Sequence, residues 1–356
     1  MENPIRNFIK QMPKAELHVH LEGSIQPETL LELAQRNKKI DALPAKNIKG
    51  IRKWFTFTDF PHFLEVYLTI QDMICTAKDL ETITYRFGED MARQNILYRE
   101  ATFTPYIHTH EQDKGLTIDD ILEGLQAGRQ RAKKDLDVEI RWIFDISRQS
   151  SFIHSNGIYN PEPAERTLEY AIKGKEYGVV GLGLGGYEVG TPATAFEHAF
   201  KEARLNGLLC VPHAGETEGP DNIWGSIRAL DADRIGHGVR AIEDPQLLEY
   251  LKEQQIPLEV NLSSNICLHV FPDLQAHPFK KLDELGLMLT LASDDPPLFN
   301  TDLNQEYQIL ADVYGYQAAD LLLIARNGFL AAGVEPEVKQ RLLSTFDSFA
   351  ETGAAK

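Results

Sequence analysis

Four short segments of this chain carry side chains suited to a bound cation and an activated water. His18-Val19-His20 is an H-x-H inside an apolar run. Side chains alternate along a strand, so both imidazoles fall on one face and could share one metal. In Val211-Pro212-His213-Ala214-Gly215-Glu216 an imidazole ends a β-like run, and a carboxyl group follows three residues later on a glycine-containing turn. That spacing lets His213 bind metal while Glu216 stays off it and faces a substrate. Gly236-His237-Gly238 flanks a further imidazole with glycines, which permit close approach of backbone or ligand. Ser293-Asp294-Asp295-Pro296 places two adjacent acids after a run that should be buried. Such neighbours repel and lose hydration, which favours a nearby cation or hydrogen-bond donors. Three histidines and one aspartate make a mixed N/O set that suits Zn²⁺ and leaves room for a water. Iron, cobalt or manganese fit the same donor set. Bound Zn²⁺ brings the pKa of its water towards about 7, the chemistry of a hydrolase at neutral pH. Each segment alone also has a bland explanation, such as two histidines hydrogen-bonded in a tight core.

The elements that must position these groups are readable too. Eight β-like runs recur: Ala15–Leu21, Leu97–Phe103, Glu139–Asp145, Val179–Gly185, Leu208–His213, Arg234–Gly238, Pro257–Ser263 and Met288–Asp294. Helical stretches such as Pro161–Tyr177 and Thr194–Asn206 lie between them. Alternating strands and helices predict βαβ units and a parallel sheet, and eight such units predict a closed (β/α)₈ TIM-type barrel. The segment between the first two runs is too long for one crossover helix and predicts extra helices inserted after the first strand. No linker divides the 356 residues, so residues 1–356 read as a single barrel domain. His18, His20, Asp145, His213, His237, Asp294 and Asp295 all fall at or just past the C-terminal ends of runs, the rim where this barrel type carries its active site.

Composition narrows the partners. With 36 Lys+Arg against 53 Asp+Glu the net charge is −17, which repels phosphate backbones and argues against a nucleic-acid partner. Three widely spaced cysteines without a C-x-x-C exclude a disulfide scaffold and a cysteine-rich zinc module. MENPIRNFIKQMPK lacks the apolar stretch of a secretory signal, and no run is long enough to cross a bilayer. A cytoplasmic protein without membrane contact is the expectation. Nothing in the pattern specifies an oligomeric state.

Taken together, the segments resemble the adenosine deaminase family of the amidohydrolase superfamily. The matching pieces are KAELHVHLEGSI (Lys14–Ile25), GLGLGGYE (Gly181–Glu188), VPHAGET (Val211–Thr217), RIGHG (Arg234–Gly238), LSSN (Leu262–Asn265) and SDDP (Ser293–Pro296). They keep the family's order and span nearly the whole chain. The resemblance implies that His18, His20, His213 and Asp294 hold one Zn²⁺ per chain. Glu216 would protonate purine N1, and His237 would orient the attacking water and help take its proton. Asp295 would hydrogen-bond the hydroxide or purine N7, and the Gly186 backbone would contact N3. The implied reaction is hydrolytic deamination of a 6-aminopurine nucleoside, adenosine or 2′-deoxyadenosine, with release of ammonia.

One motif departs from the pattern. Where animal adenosine deaminases usually read HLDG, this chain reads His20-Leu21-Glu22-Gly23, so Glu22 would make the sugar contact with one more methylene. HLEG also occurs in adenine deaminases and in deaminases of modified adenosines such as aminodeoxyfutalosine, which form the alternative. The glycine-rich GLGLGGYE looks more like the nucleoside enzymes, since adenine-specific relatives tend to carry serines there. A more distant alternative is another metal-dependent hydrolase on the same barrel. Many of those bridge two metals with a carboxylated lysine, and no run offers an inward lysine. A non-catalytic binding module would lack a ligand or the acid, and here all are present. The H-x-E and P-C-x-x-C pattern of the base-flipping zinc deaminases is missing.

Other residues are weighed similarly. Phe63 and Tyr67 are four apart on one helical face, either an apolar lid over the substrate or an ordinary packed face. His108 and His110, in the polar IHTHEQDK, read as solvent-facing loop histidines. His269 and His277 are assigned no role. Cys210 and Cys267 read as buried and inert, and Ser263 and Ser264 as donors to Asp294 or His237.

Overall fold

The computed structural model describes residues 4–153 and 157–353. Eight strands form the frame: β1 (Lys14–His20), β2 (Ile96–Phe103), β3 (Glu139–Ser147), β4 (Val179–Gly185), β5 (Leu209–Ala214), β6 (Ile235–His237), β7 (Leu258–Val260) and β8 (Leu289–Leu291). Each pairs in parallel with the next in chain order. The ring closes where β8 meets β1. There the His20 N–H donates to the Asp294 carbonyl at 2.9 Å, and the Asp294 N–H donates to the His18 carbonyl at 3.2 Å. This is the expected (β/α)₈ barrel, and the closing step itself sets three of the candidate site residues side by side.

Parallel neighbours need crossover connections. Helices supply them at Ile118–Leu136, Glu162–Lys173, Glu197–Leu205, Pro220–Leu230 and Pro245–Gln254. Their starts are written in the sequence. Thr117 accepts from the Asp120 N–H while Asp120 accepts from the Thr117 N–H, a reciprocal cap that fixes where the helix begins. The β1–β2 connection carries the extra helices Pro27–Arg36, Ile48–Phe55, Phe60–Asp72 and Ala77–Arg93. A short antiparallel hairpin, Phe152–Ile153 with Ile158–Tyr159, was not expected. Among the described residues no helix is long and apolar enough to cross a membrane.

The strands are covered on both sides, and all nine residues of β3 are buried, as parallel sheets require. Polar side chains still run through the barrel. Arg234, just before β6, pairs with Glu100 of β2 and with Glu259 of β7. Strands β2 and β6 are not neighbours, so this ion pair crosses the barrel interior and braces opposite walls. At the other end the barrel opens into a cavity of about 520 Å³.

Candidate active site and metal centre

Three imidazoles and one carboxylate converge at the mouth. His20 Nε2 lies 3.4 Å from His213 Nε2 and 3.3 Å from Asp294 Oδ1, and His18 Nε2 lies 3.7 Å from the same oxygen. Ligand atoms about 2.1 Å from a tetrahedral zinc sit about 3.4 Å from one another, so the spacing fits a shared cation. The donor chemistry fits as well. His18 donates from Nδ1 to Glu259 Oε2 at 2.9 Å, which leaves its Nε2 lone pair for a metal. Glu259 holds this partner as a carboxylate: burial raises its pKa, but the Arg234 guanidinium and His18 bring it below the usual range. Two facing Nε2 atoms need something positive between them. The Asp294 and Asp295 carboxylates demand it too, holding His20 up to about 10 against burial, a proton that a divalent cation would replace. His213 is pushed well below its ordinary value by burial and by the neighbouring imidazoles, so it is neutral and suited to bind a metal.

The backbone at this point is strained. Asp294 and His237 sit at φ +62° and +59°, left-handed values that non-glycine residues rarely adopt. At Asp294 the turn aims one side chain at the imidazoles while Asp295 enters the cavity. Gly23 makes room for Asp295, whose carboxylate fills the space a Cβ there would take. Burial raises the Asp295 pKa, and the carboxylates of Asp294, Glu22 and Glu216 add to that against His20. Asp294 goes the other way: burial opposes it, but the His20 hydrogen bond and the surrounding imidazoles keep it ionised.

Glu216 is placed by Glu188, the last residue of GLGLGGYE, for which the pattern implies no role. The Glu188 carboxylate accepts from the backbone N–H groups of Gly215 (2.9 Å), Glu216 (2.8 Å) and Thr217 (2.9 Å). It pins the turn after β5 so that Glu216 faces the cavity, with Oε1 3.7 Å from His237 Nε2. Burial, then the Asp294 and Glu188 carboxylates, push Glu216 up to about 8, which makes it an acid at neutral pH. His237 is 1 % exposed, and burial lowers its pKa.

The helix Phe60–Asp72 brings Phe63 and Tyr67 to the cavity wall. Their rings lie 5.9 Å apart, and Tyr67 meets His20 edge-on at 6.2 Å. Gly186 also lines the cavity, and so does Asp145, whose Oδ1 is buried without a partner among the described residues. Asp145 explains the alternating glycines of β4: a Cβ on Gly183 or on Gly185 would overlap its carboxylate. Glu22 is fully buried. Its Oε1 accepts from Gln71 at 3.2 Å and from the Thr104 N–H at 3.3 Å, while Oε2 has no partner among the described residues.

Several expectations are corrected. His108 is not a solvent-facing loop residue. It is fully buried, stacked on Phe103 at 5.0 Å, and its Nε2 lies 3.3 Å from Glu22. Its run is polar, but a π-helical turn over Ile107–Glu111 folds His108 inwards and leaves His110 exposed. Cys267 is exposed, whereas Cys210 is buried as expected. The contact to His237 assigned to Ser263 or Ser264 belongs to Asn265, two residues on in LSSN or one, whose Nδ2 lies 3.1 Å from His237 Nδ1. His277 is buried against Asn265. Glu259 could have been suspected from the sequence, as an acid in the middle of the apolar PLEV.

Comparison with known proteins shows the family to which the chain belongs. The family described as "Adenosine deaminase" matches residues 13–349. An aminodeoxyfutalosine deaminase of Streptomyces avermitilis is 37% identical over 97% of this chain and 93% of its own length. An adenine deaminase of Hahella chejuensis is 34% identical over 97% of this chain and 99% of its own. Among solved structures, the adenine deaminase from Arthrobacter aurescens superposes with a TM-score of 0.87 at 27% identity, covering 96% of this chain and 99% of that one. An amidohydrolase from Burkholderia ambifaria with bound Zn gives 0.85 at 25%, covering 100% and 96%.

Proposed function

Because the chain belongs to the adenosine deaminase family, we propose that it hydrolytically deaminates a 6-aminopurine that carries a substituent on N9, a nucleoside extended beyond its sugar in the manner of aminodeoxyfutalosine. The observation that carries the substrate choice is the cavity. At about 520 Å³ it far exceeds a free purine base, which is smaller than a tryptophan side chain. Glu216, His237, Asp294 and Asp295 lie in its wall together with the apolar Phe63, Leu64, Ile107 and Leu268. Leu68 (44 % exposed) and Tyr187 (42 %) mark its outer end, a wall suited to an extended substituent. The 37% identity to an aminodeoxyfutalosine deaminase supports this reading over unsubstituted adenosine.

His18, His20, His213 and Asp294 would hold one divalent cation, with zinc as the first choice. Such a cation supplies water that ionises near neutral pH. Glu216, protonated at neutral pH, gives its proton to purine N1 as C6 is attacked, which spares the ring a full negative charge. Asp295 and His237 hold the attacking water. Gly186 offers its backbone to the purine edge, and Phe63 and Tyr67 close over the apolar face. Asp145 and Glu111 are the carboxylates of the wall left to accept from hydroxyls of the substituent, and Glu22, which does not line the cavity, acts on the sugar through Gln71, its partner in the wall. Among the described residues that line the cavity there is no lysine or arginine, so a 5′-phosphate finds no cation there and nucleoside monophosphates are poor substrates.

The test is a side-by-side assay of the zinc-loaded protein on aminodeoxyfutalosine, adenosine, adenine and AMP, following ammonia release and loss of the 6-aminopurine absorbance. The expected order puts the extended nucleoside first by about 100-fold in kcat/KM over adenine, the size of effect that a filled pocket gives. A second reading, free adenine, is favoured by the 34% identity to an adenine deaminase. It would show itself as adenine leading the panel.

A further inference from the structure

We infer that His277 and Asn265 form a positioning pair that fixes the proton of His237 on Nε2, so that His237 meets the attacking water as a hydrogen-bond donor and is not the base that deprotonates it. The backbone N–H of Phe279 can only donate, and it donates to His277 Nδ1 at 3.2 Å. His277 Nδ1 is therefore unprotonated, and its proton sits on Nε2. That Nε2–H lies 3.1 Å from Asn265 Oδ1 and donates to it. The contact settles which way the Asn265 amide points, because its oxygen must face His277. The nitrogen of the same amide, Nδ2, then donates to His237 Nδ1 at 3.1 Å. With Nδ1 accepting, neutral His237 carries its proton on Nε2, the atom 3.7 Å from Glu216.

One neighbour pulls the other way. Asn261 lies 3.4 Å from His237 Nδ1, and its amide nitrogen is best used on the carbonyls of Val260 and Ala292, which leaves its oxygen towards His237. A proton on Nδ1 would suit Asn261 at that longer distance. It would also force the hydrogens of Asn265 against another hydrogen at the shorter one. His277, Asn265 and His237 are 4 %, 0 % and 1 % exposed, so no bulk water relieves such a clash.

Two neighbouring histidines thereby hold opposite tautomers. His18 keeps its proton on Nδ1, facing Glu259, and presents a bare Nε2. His237 keeps its proton on Nε2 and has no lone pair to give at the mouth, although its position would allow it to join His18 and His213 around a cation. It is neither a ligand nor a base. The role at the water rests on the deaminase reading above; the tautomer does not. With His237 donating, the proton of the water passes to Asp295, which the positive charge of a cation held beside it by Asp294 would keep as a carboxylate against its burial; the oxygen bonds to C6, and Glu216 protonates N1. The amino group then takes the Asp295 proton and leaves as ammonia while the new hydroxyl returns a proton to Glu216, giving the 6-oxopurine.

The zinc-loaded protein labelled with ¹⁵N-histidine tests this by long-range ¹H–¹⁵N NMR, with His237 assigned by comparison with His237→Gln. The expected spectrum shows His237 Nδ1 bare and Nε2 protonated. The reverse pattern overturns the inference, whatever the enzyme acts on. Asn265→Asp supplies the kinetic arm, since a carboxylate can only accept and would move the proton to Nδ1. Turnover should fall by about 10²- to 10⁴-fold with metal content unchanged, the scale seen when a catalytic imidazole holds the wrong tautomer. His277→Gln can still donate to Asn265 and should lose less than His277→Phe. Undiminished turnover in Asn265→Asp would restore His237 as the base and overturn the donor role. A wild-type protein inactive on every 6-aminopurine would sink the deaminase reading and leave the NMR result standing.

Discussion

Charges are buried at both ends of the barrel, but they are treated in opposite ways. On the closed side nearly every one is matched. Lys14 donates to the Ile9 and Met12 carbonyls at 2.7 and 2.6 Å. Glu16 pairs with Arg99, which also holds Asp90 at 3.0 Å, and Glu100 takes Arg234, the Tyr98 hydroxyl and the Gly333 N–H. At the mouth several polar atoms are left open: Asp145 Oδ1, Asp295 Oδ1, His213 Nδ1 and Gln149 Nε2 have no partner among the described residues. Unpaired buried polar groups cost stability, and they persist here beside two left-handed non-glycine residues. The difference separates structure from function better than burial does. A charge with its counter-charge braces the barrel, and a charge without one is waiting for a cation or a substrate.

The largest effect should come from completing or emptying the mouth. Chelator treatment should abolish turnover and lower Tm, because a ligand that binds only the folded state stabilises it by about 2.7 kcal/mol at 100-fold excess over Kd. Added zinc should restore both, as read by activity, calorimetry and metal analysis. If turnover survives complete removal of metal, the convergence of His18, His20, His213 and Asp294 has been misread. Next in size is Glu216→Gln, which keeps shape and removes the acid. It should cut kcat/KM by about 10²- to 10⁴-fold while Tm stays level or rises.

The same contrast explains what the sequence discloses. The eight strands are legible because apolar runs and their spacing are local signals, and the ligands are legible because histidines and acids ending such runs have few structural uses. What stays hidden are partners set by the ring closure and by long loops. Glu259 and His18 are 241 residues apart, and Glu188 reaches a turn nearly thirty positions on. His108 was misjudged because its neighbours are polar; what buries it is a helical turn and the Glu22 carboxylate on another strand's end. No composition rule carries that information.

The closed side provides the counter-test. Arg99→Met leaves Glu16 buried without its guanidinium and should cost about 3–5 kcal/mol of unfolding free energy, read by urea denaturation. The kcat/KM of the folded, metal-loaded enzyme should stay within about threefold, since Arg99 touches nothing in the cavity. A variant that keeps its stability but loses activity would erase the distinction between the two ends. A smaller effect separates them by pH. Glu216 must be protonated to act, and burial sets its pKa at about 8. The acid form is complete below that value, so kcat/KM should fall by about tenfold per pH unit above about pH 8 while Tm does not follow it. A flat alkaline limb would remove Glu216 as the acid.

The smallest and most specific effect concerns Asp145. Its carboxylate lies over Gly183 and Gly185 with one oxygen unpaired, and burial raises its pKa to about 7. Asparagine would fill the same space and remove the charge. A hydrogen bond to a charged group contributes about 1.5–3 kcal/mol against about 0.5–1.5 for a neutral one, so Asp145→Asn should raise KM for the nucleoside by about tenfold. The rise should shrink for the 2′-deoxy or 3′-deoxy form, whichever lacks the hydroxyl that Asp145 receives, and should be absent for adenine. Tm should climb slightly, because a buried oxygen with no partner has lost its charge. An equal loss on all of these substrates would place Asp145 with the bracing charges of the closed side and shift the boundary between the two regions by one strand.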